Sequence, residues 1–183
     1  VFRNLGAMTR RTVVRNGGEE PIDVLRVMSL CNDYHDARDM DLIHLWGNWG
    51  RECTFERAPL LHATQSVSSK RGLSSHAHNP FLALCSHDAT EESGEAYGFN
   101  LVYSGNFLAS AEMDSDGGAR VLMGINPENF TWHLEPGEQF ESPEAVSAFS
   151  DCGLGGMSRI FHRLYRDHLC RSPWAHKPRP ILV

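Results

Sequence analysis

The 183-residue sequence contains no apolar run near the ~18 residues that a membrane-spanning helix needs. It also lacks positive charge: 17 Lys and Arg against 23 Asp and Glu leave a formal net charge of −6. A dedicated nucleic-acid binder neutralises phosphates with clustered Lys and Arg, so the composition argues for no nucleic acid and no membrane among its partners. There is no Cys-x-x-Cys pair, and the five cysteines are odd in number. Those two facts exclude a disulfide-dense scaffold and a zinc ribbon. Gly-x-Ser-x-Gly, P-loop and dinucleotide fingerprints are missing, as are internal repeats, low-complexity tracts and charge blocks. The first residue is Val1 rather than a methionine, which leads us to expect a fragment whose start, with any signal peptide, is not seen.

What is present is a globular composition: 41% hydrophobic, 22% charged, with nine Phe and four Trp for a core. Short extended segments alternate with turn residues. Met8 to Asn16 and Ile22 to Leu30 alternate around Asn16-Gly17-Gly18-Glu19-Glu20-Pro21, which predicts a β-hairpin. Further strands are predicted at Leu42 to Trp46, Ala63 to Ser69, Phe130 to Leu134 and Glu144 to Phe149. The continuous apolar run Phe81 to Cys85 predicts a central strand. Tyr97 to Tyr103, Phe107 to Asp114 and Arg120 to Ile125 read as strand, turn, strand, turn, strand, with turns at Ser104-Gly105-Asn106 and Ser115-Asp116-Gly117-Gly118. After Gly153, Gly155 and Gly156, read as a tight entry, apolar residues recur at helical spacing from Met157 to Cys170. Prolines 173, 178 and 180 predict an extended linker, and Ile181-Leu182-Val183 the start of a buried strand. The expected architecture is mainly β: an antiparallel β-sandwich of roughly nine or ten strands with one C-terminal α-helix. Its divisions are residues 1–150 (sandwich), 151–172 (amphipathic linker helix) and 173–183 (linker).

The densest candidate chemistry is Trp46-Gly47-Asn48-Trp49-Gly50-Arg51-Glu52, which suits a loop meeting a flat, polar ligand. Aromatic faces stack on the C–H face of a sugar while Arg and Asn donate to its hydroxyls; the alternative is that both Trp residues plug the core. In Arg71 to Pro80, His76 and His78 share a face if the segment is extended, with His62, Cys85 or His87 as further metal donors. No third ligand stands at a recognisable spacing, so a polar loop whose Ser and His side chains satisfy backbone groups is preferred, and no metal is assigned. Asp33, Asp36, Asp39 and Asp41 around His35 supply paired carboxylates of the kind that glycoside hydrolysis needs, yet nothing nearby in sequence would desolvate one. They read as a solvated face. Asp114-Ser115-Asp116-Gly117 opens like a calcium loop, but Ile125 stands where the closing acid belongs, so a hairpin turn is expected. Asn129-Phe130-Thr131 is a formal glycosylation sequon.

Several stretches, in order, resemble the N-terminal β-supersandwich domain of bacterial-type α-galactosidases of glycoside hydrolase family 36. They are Arg71 to Phe81, Tyr97 to Phe107, Gly124-Ile125-Asn126-Pro127, Leu134 to Glu138, Ser150 to Ser158, His162 to Arg166 and Arg179-Pro180-Ile181-Leu182. The resemblance implies a galactose-mutarotase-like sandwich, here its later part. It implies that residues 173–183 lead into a missing (β/α)8 barrel, where a retaining mechanism would run on two aspartates. No catalytic residue and no cofactor are therefore expected in this chain. The implied role is to scaffold the barrel, to mediate a homo-oligomer and to line the pocket for α-galactoside oligosaccharides of the melibiose and raffinose type, in a cytoplasmic enzyme. Trp49-Gly50-Arg51-Glu52 is similar to a Trp-x-Arg-Glu segment of the family, implying Trp49 as an aromatic wall and Arg51 as a hydroxyl or backbone contact. His76, His78 and Asn79 complete the implied substrate-side set, with His76 and Asn79 also able to order the loop against the barrel; Ala77 departs from the family's Gln there. An independent carbohydrate-binding sandwich and a mutarotase-type epimerase using His and Glu are the alternatives. A sandwich lacking its early strands would have open edges and is expected to associate, to swap strands, or to be completed by sequence not shown.

Overall fold

The computed structural model describes residues 1–178, 180 and 181. The first strands are β1 (Ala7–Arg10), β2 (Val13–Arg15), β3 (Ile22–Val24), β4 (Met28–Tyr34) and β5 (Met40–Asn48). Then come β6 (Arg51–Pro59), β7 (Thr64–Ser68), β8 (His78–Ser86), β9 (Ala96–Leu101) and β10 (Phe107–Met113). The series ends with β11 (Ala119–Ile125), β12 (Trp132–Leu134), β13 (Gln139–Glu141), β14 (Ala145–Ser150) and helix α1 (Gly153–Leu164). A six-stranded sheet has the order β1-β14-β9-β8-β5-β6, and a four-stranded sheet the order β4-β11-β10-β7. Two ribbons, β12-β3 and β13-β2, stand apart from them, and the pairings between these strands are antiparallel.

Strand periodicity explains the layers. Along β8, Leu82 and Leu84 enter the core between the two sheets with Phe99, Leu101, Phe107, Val121 and Met123. The alternate residues Ala83 and Cys85 enter a second core on the outer face of the larger sheet, with Leu154, Met157, Phe161 and Leu164 of α1. A strand buried on both faces reads as one apolar run, and Phe81 to Cys85 is that strand. The helical residues follow the spacing of a single apolar stripe. The sandwich with one C-terminal helix is thus the observed architecture, and no helix among the described residues is long and apolar enough to cross a membrane.

The pairings differ from the expected ones at the N-terminal end. Met8 to Asn16 and Ile22 to Leu30 do not form a hairpin: β1 pairs with β14, β2 with β13, β3 with β12 and β4 with β11. The turn is real, but distant partners hold it. Asn16 donates from Nδ2 to the carbonyls of Glu20 (2.8 Å) and Leu134 (3.0 Å), and its own N–H and C=O pair with Glu138 and Gly137. The outer edge of β4 is covered in passing, since Arg10 and Thr12 donate to the Cys31 and Met28 carbonyls, each at 2.8 Å. Ser104-Gly105-Asn106 carries the chain from one sheet to the other rather than closing a hairpin. Asp114 to Gly118 does close one, its Oδ1 accepting from the N–H of Asp116 and Gly118 at 2.9 Å each.

Fourteen strands occur among the described residues, more than expected, because both N-terminal segments are broken in two and β6 and β13 answer to no expected strand. The helix begins at Gly153, so Gly155 and Gly156 lie inside its first turn, and it ends in a π-helical turn over Tyr165–Leu169. Pro173–Ala175 form a short 3-10 turn capped by Ser172 instead of a fully extended linker. Arg179, Leu182 and Val183 lie outside the described residues, and with them part of the Arg179 to Leu182 stretch and the strand expected at Ile181-Leu182-Val183.

The β3–β12 ribbon carries a cross-strand charge pair. His133 Nδ1 donates to Asp23 Oδ1 at 2.8 Å, with Glu135 Oε1 3.4 Å from Nε2. The bond to Asp23 is the main cause of a His133 pKa raised above the ordinary value. A raised histidine pKa stabilises the fold below the unfolded value, and that contribution is lost as pH rises through the folded value. A ring-proton titration by NMR is expected to show this midpoint falling toward the ordinary value in Asp23→Asn.

Candidate functional site

β5 and β6 form a long hairpin whose tip carries the Trp-rich segment, so this segment is a structured turn and not a loose loop. Its ladder runs from Asp41 opposite Pro59 to Asn48 opposite Arg51, with an irregularity between Trp46 and Asn48. Gly47 sits at that bulge. A Cβ there would lie 2.8 Å from Glu52 Cα and closer still to the Arg51 carbonyl oxygen, so only glycine fits. Cys53 takes φ +57°, a left-handed conformation uncommon outside glycine, and Gly50 takes φ +78° while donating to Glu52 Oε1 at 3.0 Å. These constraints fix the tip. Trp49 stands 88% exposed at its end. The Arg51 guanidinium carbon lies 5.3 Å from the centroid of the Trp46 ring, a cation–π contact that restrains Arg51 while leaving it exposed.

The 69–78 segment is ordered by its own polar groups. Ser69 Oγ donates to the Leu73 carbonyl and Ser75 Oγ accepts from the Ala77 N–H. Ser74 N–H donates to the Ser104 carbonyl and Gly72 N–H to Asn106 Oδ1. A turn at His76 and Ala77 means that His76 and His78 do not share an extended face: His76 is exposed on the turn, and His78 is half-buried at the start of β8. His78 lies across from Trp46, and its ring stacks on His44 at 6.3 Å and 24°. Its Nδ1 is buried without a hydrogen-bond partner. Burial pushes the His44 pKa down, the nearby Glu56 opposing and His78 adding to the shift. Among the described residues, no three His, Cys, Asp or Glu side chains are arranged to hold a metal ion.

Asn79 points the other way. It lines a groove of about 420 Å³ between the larger sheet and α1, with Phe55, Phe81, Asn100, Phe161 and Tyr165. The structure therefore brings Trp49 and Arg51 together at one tip and sets His78 beside Trp46. It leaves His76 on a separate turn and places Asn79 on the opposite face from His78. His44, which stacks on His78, lies outside the candidate residues, and Trp46 is among them only as part of the Trp-rich segment; the alternation Leu42, His44, Trp46 is the signal that puts both on one strand face.

The acidic run is not uniformly solvated. The Asp41 side chain is only 6% exposed and accepts from Arg57 Nε at 2.6 Å and from His87 Nδ1 at 3.0 Å. Burial raises its pKa, but the bonds from His87 and Arg57 together outweigh that and hold the carboxyl below the usual aspartate range. The partners that hold this buried carboxylate lie 16 and 46 positions away in sequence.

Two antiparallel sheets face to face, with a helix on the outer face of the larger, define a β-sandwich domain. The model of the glycosyl hydrolase family 36 N-terminal domain matches residues 1–135, and the chain belongs to that family. The melibiase family model matches residues 139–183. β14 belongs to the second match, yet it pairs with β1 and β9 inside the six-stranded sheet. Alpha-galactosidase AgaA of Geobacillus stearothermophilus is 50% identical over 182 residues, covering 100% of this chain and 25% of that protein. Alpha-galactosidase C of Emericella nidulans is 47% identical over 183 residues, 100% of this chain and 24% of that protein. The crystal structure of the alpha-galactosidase from Lactobacillus brevis superposes with TM-score 0.97 at 38% identity, covering 100% of this chain and 24% of that one. A variant of AgaA in complex with stachyose gives TM-score 0.93 at 50% identity, covering 96% and 24%. The chain thus spans about a quarter of the length of these relatives.

Proposed function

We propose that this chain is a non-catalytic N-terminal part of an α-galactosidase that hydrolyses terminal α-galactosides, of the melibiose and raffinose type, by a retaining mechanism in a separate (β/α)8 barrel. The observation that carries the reading is the match, over the whole chain, to a quarter of each of several α-galactosidases. In this reading residues 1–150 form the sandwich, residues 151–172 the linker helix and residues 173–183 the lead into the barrel. The sandwich scaffolds the barrel, contributes to a homo-oligomer and lends one wall to the sugar pocket. Five free thiols favour a reducing, cytoplasmic setting.

Trp49 serves as the aromatic wall and Arg51 as the hydroxyl donor. The support is chemical: an indole left almost fully in solvent beside a restrained guanidinium is the pair of groups that a sugar's C–H face and hydroxyls engage. His78 braces the hairpin through Trp46, while His76 and Asn79 serve the loop on either side. The purified 183-residue chain is expected to release no chromophore from a chromogenic α-galactoside; turnover would overturn the division of labour. Trp49→Ala in an enzyme carrying this domain is expected to weaken raffinose binding about tenfold, the scale of one stacking contact of 1–1.5 kcal/mol, with the melting temperature unchanged. Raffinose affinity equal to the wild type would remove Trp49 from the pocket.

Titration of the chain alone with galactose or melibiose separates the scaffold from an independent sugar-binding sandwich. Heat of binding by a folded chain supports the second reading, which the exposed Trp49 also favours.

A further inference from the structure

Arg57 of the edge strand β6 spends four hydrogen bonds tying β5 to the end of β8 and the loop that follows it. Nε donates to Asp41 Oδ2, Nη1 to the Ala89 carbonyl at 2.6 Å, and Nη2 to the Ser86 and His87 carbonyls at 2.9 and 2.7 Å. The same stretch also caps the helix. The carbonyls of Gly94, Thr90 and Glu91 accept from the first-turn N–H groups of Gly153, Leu154 and Gly155, each at 2.9 Å. We propose that Asp41, Arg57 and His87 form an acid-releasable latch, which holds the 87–95 loop, and through it the first turn of α1, against the six-stranded sheet.

The chemistry of release is a change of donor and acceptor. The ionised Asp41 carboxylate only accepts, and it meets two donors, Arg57 Nε and His87 Nδ1. A proton on that carboxyl turns an acceptor into a donor facing donors and removes the charge that anchors the guanidinium. Arg57 then loses its position under the carbonyls of Ser86, at the end of β8, and of His87 and Ala89 in the loop. Each element packed on Asp41 contributes its own groups. β6 supplies Arg57, and β8 supplies Cys85, its register partner, whose thiol is pushed up by burial and stays neutral. The loop supplies His87, which is 74% exposed and also ties its N–H to the Asp39 carbonyl. Asp88, Glu91, Glu92 and Glu95 share that loop, and Arg159 of α1 stands beside Glu91 near Gly155. Of these, Asp41 combines burial with two direct bonds to donors. A carboxyl held below its ordinary value contributes stability above the unfolded value, and the contribution is lost as pH falls through the folded one. The latch is therefore closed at neutral pH and opens below the ordinary aspartate value of about 3.9.

Amide hydrogen exchange on the 183-residue chain, corrected for intrinsic rates, tests this as a function of pH. The amides of Gly153, Leu154 and Gly155 are expected to lose protection about tenfold or more on acidification, while those of the β10–β11 ladder keep theirs. Loss of protection at equal pH throughout both sheets would show global acid unfolding and overturn the proposal, as would no loss at all. In Asp41→Asn the same three amides are expected to be unprotected at every pH; a wild-type pH profile in this variant overturns the assignment. His87→Ala, at an exposed position, removes one of the bonds holding Asp41 down without touching the core. It is expected to move the wild-type transition to higher pH, and an unmoved midpoint counts against the latch even if Asp41→Asn does not fold.

Discussion

Phe99→Ala is expected to lower the unfolding free energy by about 3–5 kcal/mol, a large share of the roughly 5–15 kcal/mol that holds a domain of this kind together. Phe99 is 1% exposed and lies in the core between the sheets, where its ring meets Tyr34 edge-on at 6.4 Å. Truncation removes the ring's transfer free energy and leaves a cavity that two sheets cannot collapse without shifting their ladders. Urea titration is the measurement. A midpoint shift with an unchanged slope is the expected form, since both sheets should still unfold together.

Its neighbour tests the other face of the same strand. Gly98→Val is expected to destabilise by about 1–3 kcal/mol through overpacking and to release α1 first. By strand propensity alone valine improves on glycine in a β-strand, so the expected sign is opposite. The structural reason is close approach: a Cβ at Gly98 would lie 2.7 Å from Met157 Sδ, and closer still to the Phe161 ring. Both are buried residues of α1 that hold the helix on the sheet. Hydrogen exchange should show α1 amides losing protection ahead of β10 and β11. A valine variant as stable as the wild type would mean that the helix layer yields freely. With Phe99→Ala, the pair separates the core between the sheets from the core beneath the helix.

The elements were largely legible. β8 was readable because a strand buried on both faces must be apolar at every position, and α1 because its buried residues recur three and four apart. The turn at Asp114 was readable because its side chain bonds its own backbone two and four residues on. β6 was not, because it is an edge strand with most residues exposed, from Arg51 and Glu52 to Glu56, and carries no apolar alternation. The two N-terminal segments misled for a different reason. A strong local turn signal sits between two alternating segments, but the hydrogen-bonding partners of those segments lie far along the chain in β11, β12, β13 and β14.

The candidate site was legible in its residue types and not in its arrangement. Trp49 and Arg51 are two residues apart, so a hairpin tip keeps them together. His76, His78 and Asn79 are as close in sequence, yet a turn and a strand pleat send them to different surroundings. Asp41 looked like one acid among several until β6 and the 87–95 loop closed over it.

The sequence by itself determined most of the segments that are strands, the apolar face of those that alternate, the single amphipathic helix, and the ordered set of motifs shared with family 36. These are local properties, written in side-chain period and turn chemistry. The tertiary structure alone decided which strand lies beside which, because ladder bonds join backbone groups that every residue carries, while side-chain alternation chooses a face and not a partner. It likewise decided which charged groups are desolvated, since burial is conferred by whatever chain packs on top.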